Sequence, residues 1–203
     1  MGCDDNANLI ISNDNTNLWL GNYKAALDFN FLKENNITVI INCTKEIPFI
    51  FDITKAPLKI ETIRIPIYDS NSERDNSLLM DNLKNVLEFV HNKFFKEHKN
   101  ILIHCAVGKS RSASVVAAFL YYSIKNSQNN SEKNSQKNSQ KNSQMNSQMN
   151  SQKNSQNTTD GQLMNNVINY IISKRPCTFY YGRKVNFRDA LQSFFKIQFD
   201  YPN

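Results

Sequence analysis

The sequence predicts an α/β fold: a single domain built on a central, mostly parallel sheet flanked by helices. Three observations predict it. Short runs of β-branched and apolar residues alternate with stretches of helical periodicity along most of the chain. The most apolar short run, Ile101-Leu102-Ile103, is followed closely by residues 113–122, which are apolar on every side, as a central strand followed by a buried helix should be. The composition is also that of an ordinary globular domain once one segment is set aside. The 203 residues are 40% apolar, below the roughly 45–50% usual for a domain. Residues 126–159 hold only Met145 and Met149 of that set, and the other 169 residues are about 47% apolar. A core of that size is one domain.

Taken in order, Leu9-Ile10-Ile11 and Leu18-Trp19-Leu20 read as a short antiparallel pair. Residues 23–35 place Ala26, Leu27, Phe31 and Leu32 at helical spacing, and Ile37 to Ile41 form a β-branched run bounded by Asn-rich turns, so a helix precedes a buried strand. Residues 59–67 alternate, with Ile63, Ile65 and Ile67 on one face. Pro66 cannot donate to a ladder, which puts this strand near a sheet edge. Residues 77–97 carry the longest helical stripe (Leu79, Leu83, Val86, Leu87, Val90, Phe94), with Ser77 as its cap. Residues 163–172 and 187–195 read as two further helices.

The segment 126–159 is a run of four-residue units such as NSQK and NSQM. It has no apolar periodicity with which to offset the entropy of ordering and is expected to be a disordered insert in one surface loop. The 44 residues after it are too few for a second core. The expected domain is therefore 8–198, interrupted by 126–159. The insert also carries half of the formal net charge of +6, and the remaining basic residues form no cluster, so no specific nucleic-acid partner is expected.

No stretch approaches the ~20 apolar residues of a transmembrane span, and the start MGCDDNANLI lacks the pattern of a secretory signal. Gly2 and Cys3 stand where myristoyl and palmitoyl groups could combine, but Asn6 replaces the Ser or Thr of that motif and Asp4 and Asp5 oppose an anionic surface, so an unmodified start is expected. Cys3, Cys43, Cys105 and Cys177 lie far apart with no CxxC pair, which suggests neither a zinc site nor a dense disulfide framework. A cytoplasmic or nuclear location follows as the expectation.

The chemistry is concentrated in His104-Cys105-Ala106-Val107-Gly108-Lys109-Ser110-Arg111-Ser112, between the central strand and the buried helix. A strand that turns directly into a helix leaves backbone N–H groups unpaired where the helix dipole is positive, and an anion belongs there. The amides of residues 106–111 (Ala106, Val107, Gly108, Lys109, Ser110 and Arg111) can cradle a phosphate-sized group. Gly108 permits the tight curve, and the Arg111 guanidinium forks onto two oxygens. At the bottom of that cradle Cys105 is expected as a nucleophilic thiolate. Two other readings compete: a cysteine that merely packs after an apolar strand, and a nucleotide loop of the GxxxxGK[ST] kind. The second fails because Ile103 stands where the first glycine is needed.

HCAVGKSRSAS resembles the HCxxGxxRS signature of cysteine-dependent protein phosphatases, and in particular their dual-specificity branch, where Ser follows the arginine. LWLGNYKAAL resembles that family's opening, ITVIINCTKEIP one of its strands, and IRIPIYD its general-acid segment. Lys174-Arg175-Pro176 and NFRDALQSF resemble a helix end and the final helix. The resemblance covers about residues 8–124 and 160–198.

The resemblance implies two-step phosphoryl transfer on phosphoprotein substrates, with no metal and no cofactor. Cys105 attacks phosphorus, the loop amides and Arg111 hold the equatorial oxygens, and an aspartic acid protonates the leaving oxygen and then activates water. Ser112 helps the sulfur leave, and His104 orients the loop. Asp69, directly after the IPIY run and in phase with Ile63, Ile65 and Ile67, is the expected acid. Asp75 is the alternative, because the loop SNSERDN is longer than the family usually shows. Cys43 is expected to be a buried, inert strand cysteine, with a disulfide to Cys105 under oxidation as the other possibility. Other activities that the same fold implies are an RNA 5′-phosphatase, a phosphoinositide phosphatase or a non-catalytic phosphoprotein scaffold.

Overall fold

The first two strands, β1 (Ala7–Asn13) and β2 (Thr16–Gly21), pair antiparallel across a two-residue turn. Asp14 and Asn15 both take positive φ there, as a tight hairpin turn requires and as these residue types tolerate. The structure is a computed structural model, and it describes residues 3–49, 59–70, 72–133, 159–179 and 187–200. Strands β3 (Ile37–Asn42), β4 (Glu61–Arg64) and β5 (Asn100–His104) complete a five-stranded sheet in the order β1-β2-β5-β3-β4, in which every pair except β1–β2 is parallel. The Ile101-Leu102-Ile103 run thus forms the middle strand.

Alternation along the strands divides the core into two layers. Leu18, Leu20, Val39, Ile41, Ile101 and Ile103 face the larger layer, which helices α3 (Glu73–His91), α4 (Arg111–Lys133), α5 (Asp160–Lys174) and α6 (Arg188–Phe195) help to build. Trp19, Ile40 and Leu102 face the opposite way, onto the short helices α1 (Tyr23–Leu27) and α2 (Phe29–Glu34). Residues 113 and 115–120 of α4 are all fully buried.

Four local expectations are corrected. Residues 23–35 form two helices, because Asp28 ends α1 and its side chain accepts from Phe31 N–H to cap α2. The strand expected over 59–67 spans only Glu61–Arg64, so Asp69 keeps no strand phase with the isoleucines before it, although β4 does lie at the sheet edge. The long helix is capped by Ser72, not Ser77, and passes at Asn92 into a π-helical turn. Finally, α4 runs on through Lys133, so the first eight residues of the expected insert are helical. Residues 134–158 lie outside the described residues.

Candidate active site

Strand β5 ends at His104 and α4 begins at Arg111, so the intervening loop sits at the helix N-terminus in the centre of the sheet edge. Gly108 has φ 73°, and a Cβ there would stand 2.5 Å from the carbonyl oxygen of Gly21. Only glycine fits that curve and that approach. Gly21 is constrained by close approach alone, since a Cβ there would lie 2.9 Å from Asn6 O.

The loop closes around sulfur. Gly108 N–H donates to Cys105 Sγ at 3.2 Å, and Ser112 Oγ, one turn into the helix, donates to the same atom at 3.3 Å. Cys105 is 3% exposed and borders the main core, and its sulfur is aimed into the loop it begins. His104 is buried behind it, with Nδ1 3.4 Å from the Cys105 carbonyl oxygen. Burial, aided by the charges of Arg64 and Arg111 and opposed by that contact, holds its pKa down to about 4, so the ring is neutral.

Arg111 is 2% exposed and is held from two other segments. Its Nη1 donates to Glu46 Oε1 at 2.6 Å and to Ile67 O at 3.0 Å. Nε is buried without a hydrogen-bond partner among the described residues, which leaves that edge of the guanidinium for an oxyanion. Glu46 is set by the turn after β3: the Asn42 side chain accepts from Thr44 N–H and Thr44 Oγ and donates to Ile47 O. Ile67 O also accepts from Lys45 N–H, so the 42–47 turn and the segment leading to Asp69 share one anchor with Arg111.

The two aspartates differ in kind. Asp75 is buried in the first turn of α3, where it accepts from Tyr68 N–H at 3.1 Å and from the hydroxyls of Ser70 and Ser72. Burial alone would raise its pKa, but those hydrogen bonds and Arg74 outweigh it and hold the carboxyl below the usual range. Asp75 is thereby the post that ties down the loop bearing Asp69. Asp69 is half-buried and follows directly on the residue whose N–H Asp75 fixes.

Cys43 is buried and unpaired, and its N–H donates 2.8 Å to His104 O, so it lies beside Cys105 across the β3–β5 ladder. Burial, then the charge of Cys105, pushes its thiol pKa up, with Arg111 opposing. Cys3 and Cys177, which their spacing gave no reason to pair, are joined in a disulfide. That bond occupies the sulfur an acyl chain on Cys3 would need, while Gly2 lies outside the described residues.

The family model described as "Dual specificity phosphatase, catalytic domain" matches residues 18–149, well over half of the chain. The chain belongs to the dual-specificity phosphatase family. It is 34% identical to dual specificity protein phosphatase 22 of Xenopus laevis over 52% of this chain and 45% of that protein. It is 32% identical to human dual specificity protein phosphatase 21 over 53% and 52%. The chain thus spans about half the length of the curated relatives it matches. Among solved structures, human DUSP28 superposes with TM-score 0.59 at 18% identity over 92% of this chain and 91% of that one. The Yvh1 phosphatase domain of Chaetomium thermophilum gives 0.63 at 18% identity over 94% and 95%. These two likenesses support the fold.

In this dual-specificity phosphatase family member, residues 104–112 span the junction of β5 and α4, and Arg111 is bound to the segment that leads to Asp69. Two participants were not singled out from the sequence: Glu46, which holds Arg111, and Arg175, which binds the loop carbonyls from behind. Both lie inside stretches that resemble the family, KEIP and KRP, and that was their only signal. No helix among the described residues is long and apolar enough to cross a membrane.

Proposed function

We propose that this chain is a protein phosphatase that hydrolyses phosphotyrosine and phosphoserine or phosphothreonine in proteins through a cysteinyl-phosphate intermediate. The observation that carries the proposal is the sulfur of Cys105, which accepts from Gly108 N–H and Ser112 Oγ at the mouth of a helix whose first residue is a buried arginine. That is a nucleophile set in an anion cradle. Family membership supplies the substrate class.

In the first step Cys105 Sγ bonds to phosphorus as the phosphorus–oxygen bond to the side chain breaks, and Asp69 gives its proton to the departing oxygen. The amides of Ala106, Val107, Gly108, Lys109, Ser110 and Arg111, with the free edge of the Arg111 fork, stabilise the equatorial oxygens. In the second step Asp69 takes a proton from water as the water oxygen bonds to phosphorus and the sulfur–phosphorus bond breaks. Ser112 Oγ donates to the departing thiolate, and inorganic phosphate is released. Asp75, already engaged by Tyr68, Ser70 and Ser72, holds the acid loop. Phosphoprotein substrates point to action in the cytoplasm or nucleus, whose thiol-reducing conditions set how much of the chain carries the Cys3–Cys177 disulfide.

Hydrolysis of an aryl phosphate and of matched phosphotyrosine and phosphothreonine peptides, by wild type and Cys105→Ser, with and without a chelator, tests the proposal. Both peptide classes should turn over, chelator should change nothing, and Cys105→Ser should lower kcat by about 10³-fold or more. Activity that survives Cys105→Ser but disappears with chelator contradicts the mechanism. Turnover restricted to phosphoinositides or to RNA 5′ ends contradicts the substrate class.

A further inference from the structure

Arg175 is among the largest fully buried side chains, 1% exposed, at the C-terminal cap of α5. Its Nε donates to Gly108 O at 2.9 Å and its Nη2 to Val107 O at 3.4 Å. Nη1 donates to Asp5 O at 3.0 Å and to Asn8 Oδ1. Four residues on, Phe179 N–H donates to Lys109 O at 3.0 Å. The carbonyls of Val107, Gly108 and Lys109 are thus all held from outside by one short stretch of chain, 175–179.

A trans peptide unit points its C=O and its N–H in opposite directions. Holding those three carbonyls outward therefore aims the N–H groups of Gly108, Lys109 and Ser110 inward, toward the atom that Gly108 N–H already reaches, Cys105 Sγ. None of the hydrogen-bond acceptors of Arg175 among the described residues is a carboxylate. A buried cation without a paired anion is costly, and the negative charges that reach Arg175 are those of Cys105, across the loop, and of Asp5 in the N-terminal segment. Burial draws its pKa down from the ordinary arginine value, and the charges of Cys105 and Asp5 oppose that.

The N-terminal segment closes over the same guanidinium through Asp5 and Asn8, and the Cys3–Cys177 disulfide fastens that segment two residues from Arg175. We propose that Arg175 is a positioning residue for phosphoryl transfer, which presets the inward-facing amides of the phosphate loop, and that the disulfide-fastened N-terminal segment keeps it in place. This rests on the phosphatase reading above. It differs from the role of Arg111, because Arg175 acts through the loop backbone and touches no substrate.

The test uses the full chain, assayed without added thiol after a count of two free thiols, for Cys43 and Cys105, shows that the disulfide is intact. Arg175→Met, Arg175→Lys and Cys3→Ser are compared with wild type and Cys105→Ser for kcat, KM and inhibition by orthovanadate. Far-ultraviolet circular dichroism at the assay temperature shows the folded fraction. Preset amides act most strongly on the transition state. Arg175→Met should therefore lower kcat by about 10- to 100-fold and weaken orthovanadate inhibition alongside it, with KM within about threefold. Arg175→Lys, which keeps the charge and can still donate to a carbonyl, should recover part of the loss. Cys3→Ser should lower kcat about two- to fivefold in the same pattern.

A folded Arg175→Met protein with kcat and orthovanadate inhibition within about twofold of wild type overturns the proposal. If neither Arg175 variant folds, Cys3→Ser decides: the lowered pattern supports the proposal and unchanged constants overturn it. If wild type has no activity that Cys105→Ser removes, the phosphatase reading has failed. The Arg175 proposal is then decided by whether orthovanadate raises the melting temperature of wild type more than that of the variants.

Discussion

Asp69 and Asp75 lie six residues apart, and both are candidates for the acid by sequence, yet their surroundings give them different work. A carboxylate that accepts hydrogen bonds from Tyr68 N–H, Ser70 and Ser72 is stabilised in its charged form and is a poor proton donor. Asp69→Asn should therefore lower kcat on phosphotyrosine peptides by about 10²-fold with little change in melting temperature. Asp75→Asn should instead lower stability by about 1–3 kcal/mol, because the amide NH2 that replaces Oδ2 cannot accept from the Ser70 and Ser72 hydroxyls and is itself left without a partner in a buried site, and activity should follow the folded fraction. Steady-state kinetics beside urea titrations separate the two. The Cys105-to-Ser112 loop was legible in the sequence because all its participants are local to one turn. Glu46 and Arg175 were not, because each meets the loop across more than sixty residues of chain and no periodicity records such a pairing.

Among the elements, α3 best separates what pattern can and cannot say. Its apolar stripe was readable from Leu79 to Val90, since a helix that covers a sheet must repeat its apolar positions every three or four residues. Its start was not, because the apolar stripe begins only at Leu79 and made Ser77 the nearest cap, whereas the first turn that Ser72 caps is polar. Ser72 Oγ accepts from Asp75 N–H at 3.1 Å, whereas Ser77 is exposed within the helix. Ser72→Ala should cost about 1 kcal/mol in denaturant unfolding, and Ser77→Ala should change stability by no more than about 0.5 kcal/mol. The division of residues 23–35 at Asp28 has the same origin: apolar spacing continues across a residue that ends one helix and caps the next.

For the whole molecule, the fold explains how the chain accommodates the NSQ repeats. Lys125 Nζ and Asp160 Oδ1 form an ion pair of 2.9 Å, so the two ends of the long connection are already in contact. Thr159 and Gln162 form a capping box that starts α5 independently of what precedes it. Replacing residues 126–158 with a short flexible linker, and keeping Thr159, should leave aryl phosphate turnover within about twofold, because closure entropy depends only weakly on loop length. A larger loss in kcat/KM would place the repeats in the working domain.

The pH dependence of stability is also a property of the whole fold, with His104 at its centre. Its folded pKa of about 4 is depressed from an ordinary 6.5. Its contribution is therefore complete above pH 6.5 and is lost as pH falls toward 4, by about 3 kcal/mol at most. His91, half-buried and also lowered, first by burial and then by Lys96, acts in the same direction. Urea midpoints should fall between pH 7 and pH 4.5, and less steeply in His104→Asn.

The central claim is that Cys105 carries the phosphoryl group between the two steps. Acid-quenching the enzyme during turnover of an aryl phosphate, then locating the added phosphate by peptide mass spectrometry, tests it most directly. The account predicts phosphate on the peptide containing Cys105, at higher occupancy in Ser112→Ala, where the sulfur loses the hydroxyl that helps it depart. Turnover with no phosphate on Cys105 in either protein, or with phosphate on another residue, would contradict it.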